Sequence, residues 1–422
     1  MLRLQELQLE WVLANLKQPG GGKDYRVSID NSVSSAMSRP VHAAASTETV
    51  DGWQLRFTGQ GGEYFKIWIV NLALTIVTLG IYSAWAKVRR LRYFYANTTL
   101  AGSSFDFHGS PMAILKGRLV ALVVLGAYSF APRISLVLYA AVAVVIMLGF
   151  PWLYWRSLRF RLGNTSYRGA RFGFLGKLSG AYAAVLPPAL LFLGINVVLA
   201  LSSRGLGGND PRSNGILVLK VLALYGIAIL VFPYYYHRVR AYQHGNAAFG
   251  ASQFRYRGRA GQFYMLAGKI VLMSIGLIVM IAIIGAFAGM IVGAVTLSGG
   301  KGGGMWMAYL FGLLGYAGFF AVYPFAVSRT QNIVWPNTQI SDARFLSKLS
   351  FHKTLGVELV NILATIFTIG LFRPFAAIRS ARIRIEALTF DGDPGEFEAA
   401  AYATGGATGA ELGEMIGFDI AL

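Results

Sequence analysis

Eight apolar stretches divide the chain, at about 63–83, 112–131, 134–155, 178–201, 215–236, 264–297, 305–327 and 355–375. Most reach the roughly 20 apolar residues that a helix needs to cross a bilayer. The sixth is long for one crossing and predicts a tilted helix or one that extends past the bilayer. The polar joints carry a second pattern, apolar at every other residue: Phe105, Phe107 and Gly109; Phe172, Phe174 and Gly176; Phe254, Tyr256 and Gly258. A period of two predicts short strands. Leu55, Phe57 and Gly59 read as a leading copy of the same strand.

The two patterns are locked together by one spacing that recurs five times. A Pro or Ala is followed five residues later by Arg. An Asn usually stands thirteen residues after the Pro or Ala, and a Phe eight residues after the Asn. The copies are Ala84, Arg89, Asn97, Phe105; Pro151, Arg156, Asn164, Phe172; Pro233, Arg238, Asn246, Phe254; and Pro324, Arg329, Asn337, Phe345. The fifth, Pro374 and Arg379, has Ala387 in place of the Asn. Such a period marks a chain built from duplicated units. The repeated Asn residues suit turns ahead of the strands. The fold class expected is an all-α polytopic membrane bundle of internal repeats, with a small cytosolic β layer contributed one hairpin per unit.

Charge sorts the joints. The segments around Ala131, Gly208 and Gly302 are short or Gly-rich and weakly basic, whereas those after the anchors are dense in Arg. The positive-inside rule places the latter in the cytoplasm. Counting every stretch as a crossing then puts Arg373, Arg379, Arg382 and Arg384 on the wrong side. Yet Asn71 to Tyr82 closely matches Asn361 to Phe372, and alike segments share an orientation. Six full spans, with 63–83 and 355–375 re-entering from the cytosolic side, resolve the conflict and leave both termini cytoplasmic. Eight plain crossings are the alternative. Irregular backbone at membrane depth requires cover from protein or water.

Composition narrows the class. The chain has 422 residues, 55% of them hydrophobic and only 14% charged, with a mean hydropathy of +0.52. It carries 38 Lys and Arg against 19 Asp and Glu. Between Phe107 and Ser341 the only carboxylate is Asp210. Bases that flank apolar spans answer to anionic headgroups, so no nucleic-acid partner is expected. The absence of cysteine removes disulfides and thiol chemistry. Residues 1–50 read as a disordered, polar N-terminal tail whose start is Met1 or, with an equally ordinary N-terminus, Met37. Residues 51–385 form the repeat-built domain, and 386–422 read as an acidic, flexible tail.

The segment from Gly62 to Asn71, continuing through Thr78, Tyr82 and Trp85 and then Arg92 to Asn97, resembles the YjgN family of bacterial inner-membrane proteins, the DUF898 domain. The resemblance covers roughly residues 51 to 390 and is most specific in the first unit. It implies a multipass protein of the bacterial inner membrane. It supplies no activity and no catalytic residues.

The residues themselves point away from catalysis. His237 and His244 are two turns apart on a basic helix and suit an interfacial pair better than a zinc site. Glu63 and Glu358 lie at the starts of the two look-alike segments and do not align in the repeat. The carboxylate-poor centre leaves a Ser/His/Asp set without its third member. Neither cofactor nor metal is expected, and the chain is not read as an enzyme. Arg89, Arg156, Arg238, Arg329 and Arg379 are expected at one headgroup depth, as membrane anchors or as a ring that binds anionic lipid. Asn97, Asn164, Asn246 and Asn337 are expected as structural turns. The functional expectation is transport or handling of an anionic or amphipathic ligand such as lipid. The alternative is a membrane scaffold whose basic face holds anionic lipid or a protein. Lipid-facing and subunit-facing surfaces are equally apolar, so hydropathy does not separate them.

Overall fold

The computed structural model describes residues 52–204, 211–297 and 320–393. The expectations for the N-terminal tail, the joints at Gly208 and Gly302, residues 305–319 and the chain after 393 lie outside these residues. Ten described helices alternate with short strands. They are α1 (Gly61–Val77), α2 (Ser83–Ala96), α3 (Pro111–Ile134), α4 (Leu136–Gly163), α5 (Leu178–Arg204), α6 (Pro211–Gly245), α7 (Ala260–Leu297), α8 (Val322–Val334), α9 (Phe351–Phe367) and α10 (Arg373–Ile385). The strands are β1 (Trp53–Gln54), β2 (Arg56–Phe57), β3 (Thr98–Leu100), β4 (Ser103–Phe107), β5 (Thr165–Tyr167), β6 (Ala170–Phe174), β7 (Ala247–Phe249), β8 (Ser252–Tyr256), β9 (Thr338–Ile340), β10 (Ala343–Ser347) and β11 (Leu388–Asp391).

All eleven strands join one antiparallel sheet in the order β1-β11-β10-β9-β8-β7-β6-β5-β4-β3-β2. The two ends of that order, β1 and β2, are halves of one segment separated by Leu55. Its first half pairs with β11 and its second with β3, so the sheet is a nearly closed ring. The chain is mostly helical as expected, but the small β layer is corrected to an eleven-stranded, nearly closed sheet. Each hairpin is too short to be stable alone, and pairing them edge to edge removes the exposed edges.

Apolar side chains fill the ring. Phe105, Phe172, Phe254 and Phe345 stand in sequence with ring centroids 6.3, 6.4 and 6.3 Å apart. Phe249 and Phe390 are fully buried beside them, and Leu55 and Leu388 complete the cluster. Leu388–Asp391, expected within the acidic, flexible tail 386–422, form β11 instead. Leu388 and Phe390 face the core, and Asp391 pairs with Arg344 at 2.8 Å. Alternation of Leu388, Thr389, Phe390 and Asp391 is a strand pattern that the surrounding acidic residues conceal in composition.

Helices stand on the ring in hairpins. Contacts link each helix to its chain neighbours from α1·α2 through α9·α10, and α10 returns to α1. Among the described residues five helices are long and apolar enough to cross a membrane: α3, α4, and the stretches Leu178–Leu199, Val218–Gly245 and Ala260–Met290 of α5, α6 and α7. The stretches 63–83 and 355–375 are not single helices. Each is a 17-residue helix, a turn and the start of a helix running back. The Gln60 N–H donates to the Tyr93 hydroxyl at 2.9 Å, so α1 leaves and α2 returns on the same, ring side.

Candidate functional site: the basic shoulder and the apolar tips

Each returning helix is fixed in depth by its anchor. Ala84, Pro151, Pro233, Pro324 and Pro374 are all buried. Thirteen residues on, Asn97, Asn164, Asn246 and Asn337 end the helices. Their side-chain amides donate to the carbonyls of Tyr93, Phe160, Tyr242 and Ile333 at 2.7–2.9 Å. At Asn97 and Asn164 the backbone N–H donates to the same carbonyl at 3.1 Å, so the amide adds a second bond that fixes the helix end. Their own backbone carbonyls receive the N–H groups of Thr58, His108, Leu175 and Arg257 at 2.8–2.9 Å, which stitches each unit to its neighbour. Ala387 lacks the amide but keeps the stitch, accepting from Lys348 at 3.0 Å.

The five arginines stand on five helices: Arg89 on α2, Arg156 on α4, Arg238 on α6, Arg329 on α8 and Arg379 on α10. Arg89, Arg238 and Arg329 are exposed, and Arg156 and Arg379 half-buried. The residue after each anchor is aromatic in all five copies: Trp85, Trp152, Tyr234, Phe325 and Phe375. Four residues apart on a helix is one turn, so ring and guanidinium share a face. The Arg238 guanidinium lies 6.0 Å from the Tyr234 ring, and that of Arg329 5.5 Å from Phe325. Arg89 instead reaches the Tyr82 hydroxyl at 3.3 Å and the buried Asn71 amide oxygen at 3.5 Å. Arg156 keeps a buried Nε without a hydrogen-bond partner.

A second set of cations gathers between α2, α3 and α4. Arg118 of α3 donates from Nη1 to the Ser83 hydroxyl at the start of α2. One turn further along α2 is half-buried Lys87. Burial first, and then the charges of Arg118, Arg90 and Arg161, hold Lys87 down at about 8 from its ordinary 10.5. These four cations come from three helices. Further round the ring, Arg240 donates to the Gln243 side chain at 3.0 Å and the Tyr236 hydroxyl at 2.9 Å, while its Nε is buried and unpartnered. The spacing that exposes the five arginines does not reveal this set. Arg118 was hidden inside an apolar stretch, and a cation within a span was the available signal.

His237 ties its helix to the strand end of its own unit, and His244 reaches the next unit. His237 Nε2 lies 2.9 Å from the Gly258 carbonyl, and His244 Nδ1 lies 3.3 Å from the Thr338 hydroxyl. Glu358 accepts from Ser380 at 2.8 Å, and Ser380 in turn accepts from the buried Asn361 amide at 3.0 Å. Glu63 accepts from the Tyr93 hydroxyl at 3.1 Å. The two carboxylates thus tie the short helices to their return helices.

At the far end of each short hairpin the turn is apolar. Leu79 and Ile369 are each 94% exposed, flanked by exposed Val77 and Phe367.

A family described as "Bacterial protein of unknown function (DUF898)" matches residues 53–415. The inner membrane protein YjgN of Salmonella typhimurium is 31% identical over 182 residues, 42% of this chain and 45% of that protein. YjgN of Escherichia coli O157:H7 is 30% identical over 207 residues, 47% of this chain and 51% of that protein. YjgN of Escherichia coli K12 is 29% identical over the same length. The chain thus spans about half the length of the curated relatives it matches. No solved structure matches.

Proposed function

Since this chain belongs to the DUF898 family of bacterial proteins, we propose from its own geometry that it is a multipass inner-membrane protein that handles an anionic amphiphile, with a phospholipid as the type. The observation that carries this reading is Arg118, which donates to the Ser83 hydroxyl one turn from half-buried Lys87, with the charges of Arg90 and Arg161 also acting on that lysine. Mutually repelling cations held together and partly desolvated favour a bound anion, and charge-assisted hydrogen bonds from Arg, Lys and a hydroxyl suit a phosphoryl group. The apolar helices on either side suit acyl chains. A soluble anion would need only the charges; the membrane setting favours a lipid that brings its own tails.

The outer arginines support the same reading at the surface. Each shares a helix face with an aromatic residue, the pairing that holds a helix at the headgroup level. With the Arg-rich side placed in the cytoplasm, both termini are cytoplasmic and the short hairpins return to that side. A scaffold role is favoured by one feature, a polar cleft on the ring lined by Arg255, Arg257, Gln339, Arg344 and Asp391.

Native mass spectrometry of the protein released from membranes tests the proposal. The wild type should retain phospholipid with an anionic headgroup. The double variant Lys87→Gln, Arg118→Gln should lose most of it while keeping its melting temperature. Equal retention by both proteins sinks the reading.

A further inference from the structure

We infer that the two short hairpins, α1–α2 and α9–α10, form a lateral lipid port. Their apolar tips rest in the acyl chains of the ring-side leaflet, and among the described residues no transmembrane wall stands above them. The inference rests on the lipid-handling reading for what passes through the port, but its geometry stands on separate observations.

Height is the first. In all five units the anchor lies thirteen residues from the joint with the sheet. Beyond its anchor Pro151, α4 continues about 22 Å, and beyond Pro233, α6 continues about 33 Å, at 1.5 Å per residue. By contrast α2 begins at Ser83, next to Ala84, and α10 begins at Arg373, next to Pro374. The short hairpins therefore end near anchor level. They are also neighbours: α10 packs on α1, with Phe65 and Phe375 stacked at 5.6 Å. The low stretch of wall is one continuous sector.

The chemistry of the tips identifies what surrounds them. In hydrocarbon every backbone polar group must find an internal partner, whereas a turn in water need not. In the first tip, the N–H groups of Thr78, Leu79, Gly80 and Ile81 donate to the carbonyls of Leu74, Ile76, Thr75 and Thr78. The Tyr82 N–H is met by the Thr78 hydroxyl at 2.9 Å. The second tip repeats this: Thr368, Ile369, Gly370 and Leu371 donate to Ala364, Ile366, Thr365 and Thr368, and the Phe372 N–H meets the Thr368 hydroxyl at 2.9 Å. Threonine hydroxyls donate back into the helix, Thr75 to Asn71 at 2.6 Å and Thr365 to Asn361 at 2.5 Å.

Leu79 and Ile369 hold φ of 50°, and Gly80 and Gly370 hold 94° and 88°. A branched side chain at positive φ is strained. The strain is accepted at two equivalent places, and in both it presents a large apolar side chain outward. A turn exposed to water would favour Asn or Gly there. Self-contained hydrogen bonding with a fully exposed apolar crown fits an acyl-chain environment. A lipid whose tails lie over Leu79 brings its headgroup past Ser83 to Lys87, one turn nearer the ring.

The absence of cysteine makes the test clean. Single substitutions Leu79→Cys and Ile369→Cys are spin-labelled, with Ile76→Cys as a second site in case either turn variant misfolds. Each protein is reconstituted in vesicles of phosphatidylethanolamine and phosphatidylglycerol. Collision with oxygen and with a water-soluble nickel complex reports depth. The port predicts labels shielded from nickel, at roughly 5–10 Å below the phosphates of the ring-side leaflet, the depth of an interfacial apolar face. Nickel-accessible labels, or labels in the far leaflet, overturn it. So does dilution-sensitive spin–spin coupling, which would mean that a second copy covers the tips. If the port fails, lipid retention at Lys87 and Arg118 still stands or falls separately by mass spectrometry.

Discussion

Ser347 and Leu349 exchange sizes with the pair that fills their place in the other four units. There an aromatic ring, Phe57, Phe107, Phe174 or Tyr256, lies over a glycine two residues on, Gly59, Gly109, Gly176 or Gly258. A Cβ on Gly109 would come within 2.5 Å of the Phe107 ring, and one on Gly176 within 2.5 Å of Phe174. In the fourth unit the buried side chain comes instead from Leu349, which is 4% exposed, and the residue two before it is the small Ser347.

This exchange predicts compensation. Ser347→Phe alone and Leu349→Gly alone should each lower the melting temperature in detergent, the first by overpacking and the second by emptying a buried site. The double variant should recover most of the loss, with a coupling of about 1–3 kcal/mol. Additive losses would show that the two positions do not share one packing site.

The outer arginines should act separately from the inner cations. Changing Arg89, Arg156, Arg238, Arg329 and Arg379 together to Gln should strip weakly held anionic lipid and make the remaining binding less sensitive to salt. One lipid should stay, held by Lys87 and Arg118. An unaltered lipid profile would limit the five arginines to anchoring.

Lys87 gives a pH signature. It is charged below about 8 and neutral above. The charges that act on it come from Arg118 on α3, Arg90 on its own helix and Arg161 on α4. Affinity for a phosphoryl headgroup should therefore be full below pH 8 and fall above it. Stability moves the other way. The unfolded chain holds this proton up to about 10.5, so the fold gains between pH 8 and 10.5 as the buried charge is lost. Lipid retention by wild type and by Lys87→Gln, measured from pH 6.5 to 9.5, checks this. The wild type should converge on the variant at high pH, and parallel curves would remove Lys87 from the site.

Much of this architecture was legible in sequence because helix depth is set by local spacing. The anchor, Arg and Asn positions fix where each returning helix ends, and strict alternation marked the strands after Gly102, Gly169 and Gly250. Ring closure was not legible. Leu55 and Leu388 meet through a bond of 3.0 Å between distant parts of the chain, and neither residue differs from an ordinary strand position. β11 was lost among acidic residues for the same reason. The likeness of 63–83 to 355–375 was legible, but the helix–turn–helix that each forms was not, because the apolar run continues through the turn at Leu79 and Gly80. Lys87 was seen only as part of a basic joint, since its partner Arg118 arrives from the next unit.

The central claim is that an anionic headgroup sits between α2 and α3. A structure determined in lipid nanodiscs containing phosphatidylglycerol tests it most directly. Phosphate density is expected within hydrogen-bonding distance of Lys87, Arg118 and the Ser83 hydroxyl, with acyl density running out over Leu79. Protein side chains closing that space, with lipid density confined to the outer wall, would contradict it.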